Sequence, residues 1–115
     1  MRGVLVEEYT DFTNIKLQEC PFPILYPHGV KIKIQAAGVS FATSLVVAGK
    51  YQRKPPLPFI PGTECAGYVL EIGDNVEGIN IGDRVCAVLD WGGQAEEVVA
   101  HAANVFHIPD TLDFN

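Results

Sequence analysis

Val30, Ile32 and Ile34 alternate with Lys31, Lys33 and Gln35, a period of two that fits a β-strand buried on one face and little else. Short apolar runs recur at residues 3–6, 65–72, 84–89 and 95–100. Turn chemistry separates them at Pro21-Phe22-Pro23, Gly73-Asp74-Asn75, Gly82-Asp83 and Trp91-Gly92-Gly93. Short strands punctuated this regularly predict a mainly β barrel or sandwich. One segment departs from the pattern. Ser40 is placed to cap a helix through Phe41, Ala42, Leu45 and Val46 that Gly49 ends, so one short helix is expected over residues 40–48. Residues 50–61 hold four prolines; they cannot form a central strand and are expected to cross the surface as an extended loop.

The chain has 115 residues, 48% of them apolar. That is enough for one domain burying roughly two-thirds of its unfolded surface without disulfide or metal support. A net charge of −6 repels nucleic acid. Lys50, Arg53 and Lys54 form a local basic group that suits either an anionic cofactor or a solvated loop. Glu7 and Glu8 interrupt the N-terminal apolar stretch before it could act as a signal-peptide core, and no apolar run approaches membrane-spanning length. Cys20, Cys65 and Cys86 are odd in number and lack CxxC spacing, as expected of reduced, packed thiols in a cytoplasmic protein. The closing residues 109–115 read as a linker leading into another element, so a truncated chain or an isolated domain is expected.

Three ordered stretches carry a family resemblance: AAGVSFATSLVVAGKY (36–51), PPLPFIPGTECAGYVLEIGDNV (55–76) and GDRVCAVLDWGGQAEEVV (82–99), followed by NVFHIPD. Together they resemble the medium-chain dehydrogenase/reductase superfamily, in particular its zinc-independent quinone oxidoreductase branch, over nearly the whole chain. The resemblance implies that residues 1–115 are a GroES-like domain of the alcohol dehydrogenase N-terminal type. Such a domain is a partly open β-barrel with one or two short helices. Gly62 and Gly67 stand where backbone must approach a strand or ligand closely, while Gly73 and Gly82 suit turns of positive φ.

In the zinc-dependent branch a cysteine stands at the position of Ser40 and a histidine at that of Thr63; neither hydroxyl is a useful zinc ligand. Only Asp90 and Trp91 precede Gly92-Gly93 where that branch inserts a four-cysteine lobe. No metal is therefore expected. His28, His101 and His107 match no local zinc spacing, and the last two are expected on or beside separate strands. Glu64 is expected to orient backbone amides or an arginine.

No GxGxxG opens a helix here, and Tyr68-Val69 follows Gly67 where a phosphate loop would have Lys-Ser/Thr. The resemblance thus implies that NADP is held mainly by a Rossmann domain absent from this chain. The substrate it implies is a small quinone or enone that accepts hydride from NADPH.

Among the residues matched to the family's site, Tyr51 is the expected hydroxyl donor to the developing oxyanion, with loop packing as its alternative role. Ser40 and Thr43 replace an asparagine and an aspartate usual in the family, and Leu45 a tyrosine found in some members. Ser40, Phe41, Thr43 and Thr63 are the expected cofactor-side residues, Ser40 serving equally well as a simple helix cap. The fragment alone is expected to be inactive and to self-associate through the apolar face bared near Ser40 and Trp91. The competing readings are a stand-alone GroES-like binding module and a noncatalytic remnant.

Overall fold

A computed structural model describes all residues, 1–115. Seven strands run in chain order: β1 (Arg2–Val4), β2 (Leu17–Glu19), β3 (Gly29–Ala37), β4 (Glu64–Ile72), β5 (Arg84–Val88), β6 (Glu97–His101) and β7 (Val105–His107). One α-helix, α1 (Phe41–Val47), lies between β3 and β4, and short 3-10 turns cover Phe12–Asn14 and Ala102–Asn104. The period-two segment is β3, and the apolar runs are β1, β4, β5 and β6 with small shifts at their ends. β2 and β7, of three residues each, were too short to carry a legible alternation.

All pairings in the five-stranded sheet are antiparallel, in the order β6-β3-β4-β5-β7. β6 and β7 are edges that do not meet, so the curled sheet forms the partly open barrel expected of a GroES-like domain. Register shifts at Lys31/Ile32 and Ile34/Ala36 bend β3. The alternating side chains Val30, Ile32, Val69, Val85, Ala87, Val98 and Ala100 meet inside and form the main core. Burial of such apolar side chains stabilises by roughly 25 cal/mol per Å² removed from water.

Residues 50–61 cross the surface without helix or strand, as expected, but Pro55, Phe59 and Pro61 turn inward from it. Phe59 is 3% exposed, and Pro55 and Pro61 are fully buried. The Phe59 amide donates to the Val6 carbonyl at 3.0 Å, and the Val6 amide to the Phe59 carbonyl at 2.8 Å. These bonds satisfy the main chain of Phe59, and the buried Pro55 and Pro61 have no N–H to satisfy. This strap closes a second core of Val6, Val46, Val47 and Phe59.

The glycines divide by cause. Gly82 has φ +91°, as its turn predicts. Gly73 does not have positive φ; it is glycine because a Cβ there would strike the carbonyls of Tyr26 and Pro27. Gly67 lies where a Cβ would overlap the Lys33 carbonyl oxygen of the neighbouring strand. Gly67→Ala should therefore force β3 and β4 apart and lower unfolding free energy by about 1–3 kcal/mol, measured by denaturant titration.

Asp83 ties β7 to the turn before β5, accepting from the Asn80 amide at 2.9 Å and facing His107 Nε2 at 2.9 Å. The Asn80 amide and then His107 hold its carboxyl below the usual carboxylate range. A carboxyl depressed in this way stabilises the fold above its unfolded pKa, and the gain is lost as pH falls through the folded value. The stability deficit of Asp83→Asn should accordingly be greatest near neutral pH and vanish on acidification, read as denaturation midpoints across pH.

Candidate functional site

Helix α1 is launched by the end of β3. Ser40 has extended backbone, φ −124° and ψ 168°, and is the N-cap. Its amide donates to Thr43 Oγ1 at 3.3 Å, the Thr43 amide donates to the Ser40 carbonyl at 3.1 Å, and the two hydroxyls lie 3.4 Å apart. Thr43 is buried at 6% exposure, so its hydroxyl is engaged with the cap. The helix ends at Gly49, whose φ of +72° places it in the left-handed region. A Cβ there would also come within 2.7 Å of the Tyr9 ring.

Two clefts flank this helix. The first, about 250 Å³, is lined by Phe12, Ile15, Val39, Ser40, Phe41, Thr43, Ser44, Val47 and Gln94. Val39 and Phe41 are 80% and 79% exposed at its rim. The second, about 240 Å³, is lined by Val46, Tyr51, Arg53, Pro55, Thr63, Leu89 and Asp90. The structure thus brings Ser40, Phe41 and Thr43 together in one cleft and Tyr51 and Thr63 in its neighbour, with no single cavity containing all five.

Tyr51 packs its ring against the second core. Its hydroxyl has no protein partner, whereas the hydroxyl of Tyr9 donates to the Pro55 carbonyl at 3.2 Å. Both roles weighed for Tyr51 are therefore compatible in one residue: a packed ring and a free donor. Arg53 pairs with Asp90 beside it, both side chains largely exposed. An exposed pair of this kind adds little stability, but it neutralises part of the basic group at Lys50, Arg53 and Lys54.

Glu64 bonds no arginine or backbone amide through its side chain. Its carboxylate lies over Gly38, where a Cβ would collide with it. His28 and His101 stack with ring centroids 5.7 Å apart, while His107 stands elsewhere against Asp83. His101 and His107 occupy separate strands, β6 and β7, as their sequence context predicts. No three His, Cys, Asp or Glu side chains converge as a metal site, and no helix is long and apolar enough to cross a membrane.

A further concavity, about 430 Å³, lies at the ends of β3, β4 and β5 beside Phe114 and Asn115, and none of the five candidates lines it. Small alanines, Gly38 and two cysteines dominate it. Burial pushes the Cys65 thiol up to about 12, so it is no nucleophile at neutral pH. The three cysteines are free, Cys20 and Cys65 buried and Cys86 partly so; packing is their observed role.

Gln94 escaped the sequence reading. It follows Gly92-Gly93, and its amide donates to the Pro61 carbonyl at 2.9 Å while its carbonyl accepts from the Val4 amide at 2.9 Å. Its side-chain Nε2 is buried without a partner. The double glycine was the available signal, since a tight turn of this kind holds the next residue in a defined place.

Residues 26–110 match the alcohol dehydrogenase GroES-like domain family. The chain is 37% identical over 116 residues to quinone oxidoreductase from Mus musculus, covering 99% of this chain and 35% of that protein. The crystal structure of a probable oxidoreductase from Mycobacterium abscessus superposes with TM-score 0.91 at 33% identity, over 99% of this chain and 36% of the other. Quinone oxidoreductase from Thermus thermophilus, solved also in complex with NADPH, superposes with TM-score 0.81 at 27% identity, over 99% and 34%. The chain spans 24% to 35% of the length of the curated relatives it matches. The matched family, the relatives and the curled sheet agree, and the chain belongs to the alcohol dehydrogenase GroES-like domain family, in the quinone oxidoreductase branch of the medium-chain dehydrogenase/reductase superfamily.

Proposed function

We propose that residues 1–115 form the substrate-side walls of a zinc-independent, NADPH-dependent quinone or enone oxidoreductase that works together with a nucleotide-binding Rossmann domain. One observation carries this reading: the helix flanked by two clefts gathers Ser40, Phe41 and Thr43 on one side and Tyr51 and Thr63 on the other. The residues fit a nicotinamide ring at the first cleft, because its wall is mostly apolar and carries no charged side chain. When bound, the reduced nicotinamide supplies the hydride.

The chain's own residues do the rest. Phe41 and Val39 offer apolar surface that excludes water from one face of a flat ligand. Ser40 and Thr43 hold the helix start in register and set the cleft wall. In the second cleft the unpartnered Tyr51 hydroxyl donates to the oxygen on which negative charge develops. Thr63 offers a second hydroxyl at the same mouth. Hydroxyls at positions 40 and 63 leave no thiolate or imidazole there for zinc, so the donors, and no Lewis acid, stabilise the oxyanion.

Three free thiols suit a reducing cytoplasmic setting. The exposed Val39 and Phe41 suit an interdomain face, and they make self-association of the lone domain the expected behaviour.

The 115-residue chain alone should consume NADPH with a quinone no faster than buffer, because it has no phosphate-cradling loop. Turnover like that of a two-domain enzyme would sink the proposed division of labour. In the two-domain enzyme carrying this domain, Tyr51→Phe should lower turnover of an enone by roughly 10²–10³ and leave NADPH affinity unchanged. The loss with a quinone should be smaller, since the hydroquinone product delocalises its own charge. Unchanged rates with both substrates would reduce Tyr51 to its packing role.

A further inference from the structure

We infer that Tyr9 is a positioning residue for Tyr51, holding both ends of the loop from which the Tyr51 hydroxyl is presented to the second cleft. The inference rests on the reading of Tyr51 as donor given above and adds to it the residue that keeps this donor in place.

The loop runs from Gly49, at the end of α1, to Pro55, and its own main chain does little to fix it. From Tyr51 to Pro58 no main-chain amide donates to, and no main-chain carbonyl accepts from, another main-chain group. Two side-chain bonds tie this stretch down: the Tyr9 hydroxyl donates to the Pro55 carbonyl at 3.2 Å, and Arg53 pairs with Asp90. The ion pair is largely exposed on both sides and is a weak tether. The Tyr9 bond is partly buried and its acceptor belongs to a fully buried residue, so its loss would strand a carbonyl away from water.

The other end of the loop meets the same side chain. Gly49 sits at φ +72°, and a Cβ there would lie 2.7 Å from Tyr9 Cγ and 3.0 and 3.1 Å from its two Cδ atoms. The main chain at Gly49 therefore rests directly on the ring. One tyrosine thus touches the chain just before Tyr51 with its ring and just after it with its hydroxyl. Tyr9 is itself well fixed. The Thr10 amide donates to the Val47 carbonyl at 3.0 Å, Val6 and Phe59 exchange bonds of 2.8 and 3.0 Å, and the Tyr9 and Phe59 ring centroids are 6.4 Å apart.

The consequence falls on the donor. The Tyr51 ring packs against the second core, and the two pinned loop ends set how far and at what tilt it enters the cleft. Rate is steeply sensitive to such placement. Tyr9 lines neither cleft, so it acts on a substrate only through Tyr51.

The test is a double-mutant cycle in the two-domain enzyme carrying this domain, assayed with NADPH and cyclohex-2-enone, together with NMR of the labelled 115-residue chain. Tyr9→Phe keeps the ring and removes the hydroxyl. It should lower kcat roughly three- to tenfold, the size of one lost neutral hydrogen bond, with NADPH affinity unchanged. In the Tyr51→Phe background the same substitution should cost less than about twofold, because the hydroxyl it positions is gone. In the chain alone, Tyr9→Phe should move the ring signals of Tyr51 and leave the methyl signals of Val30 and Ile32 in place. A tyrosine that only stabilises the fold would cost the same in both backgrounds. That result, no loss of kcat in Tyr9→Phe, or unmoved Tyr51 ring signals overturns the Tyr9 inference and leaves the donor reading standing. If Tyr51→Phe by itself leaves turnover unchanged, both fall.

Discussion

The antiparallel pairing of β3 with β4 is the constraint on which the remaining structure hangs. Both strands are nine residues long, and Gly67 lets the β4 backbone close upon the Lys33 carbonyl where any side chain would intervene. That contact allows Val30, Ile32 and Val69 to sink to between 0% and 2% exposure, with β6 added on one side and β5 on the other. The register has a functional consequence. Ala37, at the end of β3, lies opposite Cys65, at the start of β4, so Ser40 and Thr63 leave the sheet at the same end. The two clefts are neighbours because the strands that feed them are partners.

A second layer of contacts turns this sheet end into a site. Helix α1 is only seven residues long, too short to be stable alone, and it is held by Val46 and Val47 packing on Val6 and Phe59. The Phe59 strap is fastened in turn by its two hydrogen bonds to Val6. The N-terminal segment also reaches Gln94 and Glu96 through Val4 and Arg2. A cleft wall made from four distant parts of the chain is thereby kept rigid, which a binding site needs if its donors are to be oriented before the ligand arrives.

Charge is distributed so that one cleft is neutral and the other is bordered by an ion pair. Arg53 and Asp90 meet at the mouth beside Tyr51, while the helix-side cleft has only hydroxyls, apolar groups and the Gln94 amide. The two clefts therefore differ in their electrostatic surroundings although they lie at the same end of the sheet.

Much of this was written in local sequence. The alternation at residues 30–35, the Ser40 cap and the Gly49 stop are short-range signals whose physics acts over a few residues, and the strands and helix appear where those signals lie. The ordered motifs also carried the family. Tertiary structure decided what no local rule could. Phe59 turned inward because Val6, 53 residues earlier in the chain, satisfied its backbone through an isolated antiparallel bridge. Gly73 proved to be glycine for a close approach to Tyr26 and Pro27, not for positive φ. The five candidate residues divided between two clefts because α1 stands between their walls. Gln94 became visible only when burial was known, since an unpaired amide is a property of its surroundings. Local propensity and spacing thus determined the elements and the family, while long-range packing chose which side chains share a wall, because adjacency across a sheet depends on register and not on sequence distance.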